Sequence, residues 1–203
     1  GLFTFNSFKL TILVTLIQVL TCSFAAYGFT KCKFRGRDTL FLCYVATIAI
    51  PWQIYMLPQY SMMQKLGLVD SHLGYVLMQA FAAFGVFLLR QFYQSVPDEL
   101  IEAARIDGAS PLQQFIHLTI PLLKPTILLT AIMSTSGTLQ LFDESVNLTR
   151  GGPGNATITL SHYIYNTMFT KNPNFGYAAA MSFVILVMVA VLAAIQMKVG
   201  DKR

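Results

Sequence analysis

The chain of 203 residues is 55% hydrophobic and only 11% charged, with a mean hydropathy of +0.57. Ordinary soluble domains carry about 25% charged residues, so this composition excludes a soluble globular domain and indicates a protein of the lipid bilayer. The net charge of +5 does not indicate nucleic-acid binding, because no basic stripe alternates with aromatic residues along the sequence.

Five stretches of the sequence are long and apolar enough to cross about 30 Å of hydrocarbon. They predict spans at about 8–30, 39–57, 71–90, 118–142 and 175–197. Spans in the bilayer core must be helices or closed barrels, and stretches of this length are typical of helices. We therefore predict an all-α fold, in which residues 1–203 form a single polytopic bundle of membrane helices.

Most basic residues lie in the loops beside the spans and not within them. Lys31, Lys33, Arg35 and Arg37 separate the first two spans, and more basic residues follow the last one. By the positive-inside rule both groups face the cytoplasm, which places the C-terminus on the cytoplasmic side of the membrane. The same alternation leaves Gly1 outside, so we expect a sixth span upstream in the full protein.

The loop at 91–117, between the third and fourth spans, contains helix start and stop signals. Pro97 suits a first helical position and Gly108 a helix stop. Ser110 and Gln113 then form a capping-box pattern that opens another helix. We predict two short helices on the cytoplasmic side rather than a linker.

The first of these helices has a small apolar face. Leu100, Ala103 and Ala104 recur at helical spacing, with Ile101 and Ile106 beside them. Such a helix could rest on the bilayer surface. However, its four carboxylates outnumber its single arginine, and the anionic cytoplasmic leaflet repels a net acidic helix. A protein partner is therefore the favoured interpretation.

The same loop carries a spaced motif. Glu102, Ala103 and Ala104 are followed after three residues by Gly108, and after nine more by Leu-Thr-Ile-Pro at 118–121. This resembles the EAA loop of ABC importer permeases, whose pattern is EAA, three residues, G, nine residues, I, one residue, LP. Only conservative exchanges of Ile and Leu depart from it.

The resemblance implies a coupling helix that docks into a cleft of a separate ATP-hydrolysing subunit. Glu102 would then reach a basic group of the ATPase, the two alanines would allow close approach, and Gly108 would permit the turn between the helices. The implied ATPase-docking residues are Leu100, Glu102, Ala103, Ala104, Ile106 and Gly108.

The resemblance also implies the remaining partners. They are an ABC ATPase dimer, a second and non-identical permease subunit, an extracytoplasmic solute-binding protein and the lipid bilayer of a bacterial inner membrane. The chain has no Walker motif, so it would be non-catalytic and hold no cofactor, while ATP and Mg would bind the partner. Its three histidines are not at helical spacing from any carboxylate or cysteine, so no metal site and no catalytic residue is predicted.

Within that family, the stretches 57–77 and 84–110 resemble carbohydrate importers. Residues before about Ser134 resemble the second type of permease half, whereas 139–166 resembles the first type. Which half the chain represents stays open. The function implied is inward transport of a sugar or oligosaccharide by alternating access, and the alternative is a secondary transporter or channel subunit that ATP does not drive.

Polar residues within spans face a bundle interior or a wet path rather than lipid. At the end of the fourth span, hydroxyl, amide, aromatic and carboxylate side chains combine the groups that sugars need. The candidate substrate-path residues are Ser136, Thr138, Gln140, Phe142 and Asp143. Small polar residues also serve as ordinary contacts between membrane helices, and that interpretation stays open.

Overall fold

The computed structural model describes residues 2–152, 155, 157–169 and 172–200, and within these ranges there are helices but no strand. The all-α prediction is confirmed. A 3₁₀ turn lies at Thr47–Ala49, and π-helical segments lie at Phe115–Thr119 and Ser145–Thr149. The α-helices are α1 Leu2–Lys31, α2 Arg37–Ala46, α3 Trp52–Lys65, α4 His72–Gln79, α5 Ala83–Tyr93, α6 Asp98–Ile106, α7 Pro111–Gln114, α8 Ile120–Leu139, α9 Leu160–Phe169 and α10 Phe175–Gly200.

Three helical stretches of the described chain are long and apolar enough to cross a membrane unaided. They are Leu2–Lys31, the continuous run Pro111–Leu139, and Phe175–Gly200. Two bent pairs of helices raise the number to as many as five. The protein is thus a bundle of several membrane helices, as the composition predicts.

The predicted second span at 39–57 is not one continuous helix. The helices on either side of its break, Arg37–Ala49 and Trp52–Lys65, are bent by 104°. The cause is Pro51, which lacks an amide donor and forces Ile50 into an extended conformation with φ −84° and ψ 115°. The first arm rises about 20 Å at 1.5 Å per residue, which is short of a full crossing.

The predicted third span at 71–90 is also divided. α4 and α5 meet at 45° across the break between Gln79 and Ala83. Ser71 caps α4 by accepting a hydrogen bond from the amide of Gly74 at 2.9 Å. No proline or glycine lies within the break, so its support must come from elsewhere in the fold.

Helix α1 is the central element of the bundle. It packs against α5 and α8 and also contacts α4 and α9. A close crossing of α1, α5 and α8 lies at Gly85, where an added Cβ would lie 2.9 Å from Cys22 Sγ and 3.2 Å from Thr130 Cγ2. Three helices therefore meet where only a glycine fits.

Helix α10 lies at the edge of the bundle, against α8 and α9. Only Ala178, Met181 and Ile185 of its residues are buried. The rest of its apolar surface is exposed, including Phe183 and Leu186. A surface this apolar suits lipid or another membrane helix rather than water.

Candidate coupling loop and solute path

The segment between α5 and α8 forms two short helices, as its helix start and stop signals predict. α6 begins after Pro97 and is closed at its C-terminus by Gly108, which adopts a left-handed φ of +84°. At the start of α7, Ser110 Oγ accepts from the Gln113 amide at 3.3 Å, and Gln113 Oε1 accepts from the Ser110 amide at 2.8 Å. The capping box read from the sequence is therefore present.

Most of the side chains predicted to dock an ATPase lie on the surface. Ile106 is 85% exposed and Leu100 is 46% exposed. Glu102 and Ala103 are exposed as well, whereas Ala104 is half-buried. A groove of about 400 Å³ adjoins this surface and is lined by Ala104, Asp107, Gly108, Ala109, Gln113, Gln114, His117 and Leu118. Nothing in the described chain covers Ile106.

The candidate substrate-path residues do not converge on one cavity. Gln140 and Phe142 line a cavity of about 470 Å³ beside α9 and α10, which we call the α9 cavity. Thr138 lines the central cavity, of about 460 Å³, between α1, α5 and α8. Asp143 lines a third cavity of about 290 Å³ next to α3 and α4, the α3–α4 cavity. Ser136 is half-buried and is not among the residues lining these three cavities.

A chain of polar groups, whose connections were not predicted from the sequence, joins the central cavity to the α3–α4 cavity. Ser134 Oγ donates to Gln18 Oε1. Gln18 Nε2 donates to the Gln79 carbonyl at 2.6 Å, and Gln79 Nε2 donates to Glu144 Oε1 at 2.5 Å. We call these four residues the polar chain. Gln79 lines both cavities.

Burial sets the electrostatics of Glu144, which follows the last turn of α8. Its side chain is 8% exposed, and burial raises the pKa of its carboxyl group, with the donor Gln79 opposing that rise. A sequence signal for the polar chain did exist. Gln18 and Gln79 are amides inside apolar stretches, where a polar side chain needs a partner.

Helix α1 also supports the break between α4 and α5. Gln18 Nε2, Thr21 Oγ1 and Cys22 Sγ donate to the carbonyls of residues 79, 80 and 82 at 2.6, 2.5 and 3.4 Å. A helix break frees backbone carbonyls, and within a membrane these must find partners inside the protein. The break is therefore stabilised by specific hydrogen bonds from α1, and it lies beside both the central cavity and the α3–α4 cavity.

The α3–α4 cavity holds side chains of the kinds that recognise sugars. Trp52, Tyr55 and Phe81 supply aromatic faces, while Gln59 and the carboxylates supply polar groups. Gln59 Oε1 is buried and has no hydrogen-bond partner among the described residues. An acceptor left open in a cavity suits a ligand that brings hydroxyl donors.

The segment after α8 folds back onto α1 through a cluster of short polar side chains. Ser145 Oγ lies 2.8 Å from His162 Nδ1 and donates to the Thr157 carbonyl at 2.8 Å. Ser7 Oγ accepts from the Leu160 amide at 2.9 Å. Burial lowers the pKa of His162, so the imidazole is held neutral. These contacts fix the position of Glu144 at the end of the polar chain.

Comparison with known families then decides the class of protein. The family described as "Binding-protein-dependent transport system inner membrane component" matches residues 18–201. The chain belongs to this family. The resemblance read from the EAA motif is thereby confirmed, and a member of this permease family is a multi-pass membrane component rather than the catalytic subunit.

Curated relatives with sugar-related names match the chain over part of their length. The lactose transport permease LacF of Rhizobium radiobacter is 53% identical over 112 residues, covering 54% of this chain and 38% of that protein. The multiple sugar-binding transport permease MsmF of Streptococcus mutans is 35% identical over 128 residues, covering 63% of this chain and 44% of that protein. The chain thus matches less than half the length of these curated relatives.

Two solved structures share the fold. One is a bacterial ABC transporter involved in the import of the acidic polysaccharide alginate, with a TM-score of 0.78, 24% identity, and coverage of 98% of this chain and 73% of that chain. The other is the methionine ABC transporter MetNI in an inward-facing conformation, with a TM-score of 0.63, 18% identity, and coverage of 98% and 91%. The bundle is therefore the fold of ABC transporter membrane subunits.

Proposed function

We propose that the chain is the membrane permease subunit of an ATP-driven ABC importer for a sugar or oligosaccharide. Solute moves inward by alternating access, and a separate ATPase dimer binds ATP and Mg and supplies the energy. A second, non-identical permease subunit and an extracytoplasmic solute-binding protein complete the assembly. The C-terminus and the coupling loop face the cytoplasm.

The observation that carries this proposal is the exposed surface of α6 with its EAA motif. Ile106 is 85% exposed, beside the exposed carboxylate of Glu102. Burying an isoleucine side chain stabilises a complex by about 1.5–3 kcal/mol, which a solvated loop would forgo. An acidic helix is a poor match for anionic lipid, so a cleft of a partner protein is the better cover.

The sugar class is supported by the names of the relatives and by the chemistry of the cavities. The solute path runs from the α3–α4 cavity, past the break between α4 and α5, into the central cavity. Among the candidate path residues, this route favours Thr138 and Asp143 over Gln140 and Phe142, which line the α9 cavity instead.

The decisive experiment is capture of the ATPase by the full-length permease in native membranes, followed by measurement of sugar uptake and ATP hydrolysis. We expect the ATPase to co-purify and uptake to stop when ATP is depleted. Uptake that persists without ATP and without a captured ATPase would favour a secondary transporter or channel instead.

A matched pair of substitutions tests the path. Asp143→Ala should reduce sugar uptake without reducing ATPase capture, because it removes a carboxylate from the α3–α4 cavity. Gln140→Ala should leave uptake close to wild type, because Gln140 lies in the α9 cavity. The opposite ranking would move the path to the α9 cavity.

A further inference from the structure

The C-terminal end of α1 receives both ends of the coupling loop, and this arrangement carries an inference that rests on the proposed function. On the entry side, Tyr93 is fully buried, and its Oη donates to the Ser23 carbonyl at 3.3 Å. Its ring meets the edge of Tyr27 at 6.1 Å, and Lys31 Nζ donates to the Val96 carbonyl at 3.2 Å. The approach to α6 is thus fastened along residues 23–31 of α1.

The exit side of the coupling loop is fastened to the same stretch. Phe115, the first residue of the π-helical segment after α7, is 7% exposed. Its ring stacks on Phe24 at 5.3 Å and meets the edge of Tyr27 at 5.2 Å. Tyr27 therefore contacts aromatic rings from both ends of the loop, and Ile101 of α6 packs on the same buried cluster.

Arg90 joins a further helix to this anchor. Its side chain donates from Nη2 to Asp38 Oδ1 at 2.7 Å and from Nε to the Phe29 carbonyl at 3.4 Å. Its guanidinium lies 3.9 Å from the centre of the Phe41 ring. One planar group thus holds the end of α5 against the end of α1 and the start of α2, and a lysine could not make these contacts together.

Stability alone is a weak reason for an arginine at this position. Arg90 is 9% exposed, and burying its charge costs free energy that the pair with Asp38 only partly offsets, because the Asp38 side chain is 69% exposed. An apolar residue of similar length would often be as stable. What the arginine adds is fixed geometry among three helix ends.

We propose that Arg90 and Phe115 are positioning residues that fasten the coupling loop to the C-terminal end of α1, so that the loop and α1 move as one unit when the ATPase moves. Arg90 fixes the entry side, through α5 and α2, and Phe115 fixes the exit side. The exposed face of α6 stays free for docking, because the fastening contacts lie on its flanks and, at Ile101, on its inward side.

The test measures one distance in the assembled complex of the full-length protein. Spin labels are attached at Cys32, which is exposed next to the end of α1, and at Glu99→Cys on the exposed side of α6. Cys43→Ser removes the other exposed thiol, and Cys22 is buried. We expect a single distance that is the same without nucleotide and with ATP plus vanadate.

The variants are Arg90→Met and Phe115→Leu, and both retain apolar bulk. We expect each to keep the wild-type distance without nucleotide but to lose the single distance when ATP and vanadate are added. A purely structural role would not produce a change that depends on nucleotide. The controls, Arg35→Met and Ile116→Leu, alter exposed neighbours and should behave as wild type.

Three results would overturn the inference. The first is a wild-type distance that changes with nucleotide, and the second is a pair of variants that both keep the single distance in every state. A variant whose distance is already altered without nucleotide would also count against it, because the contact would then be structural only. Failure of the wild-type chain to capture any ATPase is a separate result that overturns the proposed function.

Discussion

The coupling loop and the polar chain place their polar groups in opposite surroundings. On α6, the carboxylate of Glu102 stands in solvent beside an isoleucine that is 85% exposed. In the polar chain, Gln18 and Glu144 are each 8% exposed and are bonded through Gln79. The coupling loop leaves apolar surface exposed, whereas the residues of the polar chain form hydrogen bonds with one another inside the bundle. The first arrangement needs a partner protein, and the second works inside the bundle.

The largest effect should come from the coupling loop. Glu102→Ala should weaken ATPase binding by about 2–5 kcal/mol, if a desolvated basic group of the partner loses its charge partner. That loss is roughly thirtyfold to several-thousandfold in affinity. Titration of the purified ATPase against the permease in lipid nanodiscs measures it.

Glu99→Ala is the matched control, because Glu99 is exposed at the start of the same helix and mainly interacts with the helix dipole. A surface ion pair there is worth about 0–1 kcal/mol. Small and equal losses of ATPase affinity in both variants would contradict the docking role of Glu102. The coupling loop and the polar chain would then not differ in their need for a partner.

Inside the bundle, Gln79→Leu should stop or strongly reduce sugar uptake while leaving ATPase capture intact. The substitution removes the amide that donates to Glu144 and leaves a buried carboxylate without that donor. An unsatisfied buried group costs about 1–3 kcal/mol, so the midpoint of thermal unfolding in detergent should also fall.

Gln64→Leu is the control for that variant, because Gln64 is an exposed glutamine on α3. It should change neither uptake nor unfolding. If Gln79→Leu instead reduced ATPase capture as strongly as Glu102→Ala does, the polar chain and the coupling loop would not have separate functions.

The two regions also differ in how far the sequence predicts them. Pro97, Gly108 and Ser110 act on residues within one helical turn, so the boundaries of α6 and the capping box follow from local chemistry. The bend at Pro51 is local for the same reason. Such signals need no knowledge of the tertiary fold.

The polar chain and the break between α4 and α5 were not predicted. Gln18 bonds partners 61 and 116 residues away, and Gln79 bonds Glu144 at a separation of 65 residues. The break contains neither proline nor glycine and depends on donors from α1. Spacing along the sequence gives no sign of such contacts, and the five candidate substrate-path residues are neighbours of the polar chain and not its members.

A smaller effect on the free energy of unfolding is expected at the turn that ends α6. Gly108 has φ +84°, and an added Cβ would meet nothing within 4 Å. Gly108→Val should therefore cost about 1–2 kcal/mol through backbone strain alone and abolish sugar uptake without blocking membrane insertion. Gly108→Asn, which tolerates this conformation, should retain most uptake. Equal loss in both variants would indicate that the partner packs directly on this turn.

The smallest effect concerns pH and Glu144. Burial raises the pKa of Glu144 in the folded protein above its ordinary value. The folded state therefore favours the protonated carboxyl, and this contribution to stability is fully present below the unfolded pKa of about 4.3 and is lost as pH rises through the folded pKa.

Glu144→Gln keeps a neutral side chain at every pH and leaves an acceptor for Gln79. Its unfolding midpoint in detergent should equal or exceed that of the wild type at pH 7, and the difference should shrink as pH falls toward 4. Asp143→Asn, at the neighbouring position in the same cavity, is the control. A variant less stable than wild type at pH 7 would contradict this prediction, because the charged carboxylate would then be stabilised by its hydrogen bond to Gln79 more than it is destabilised by burial.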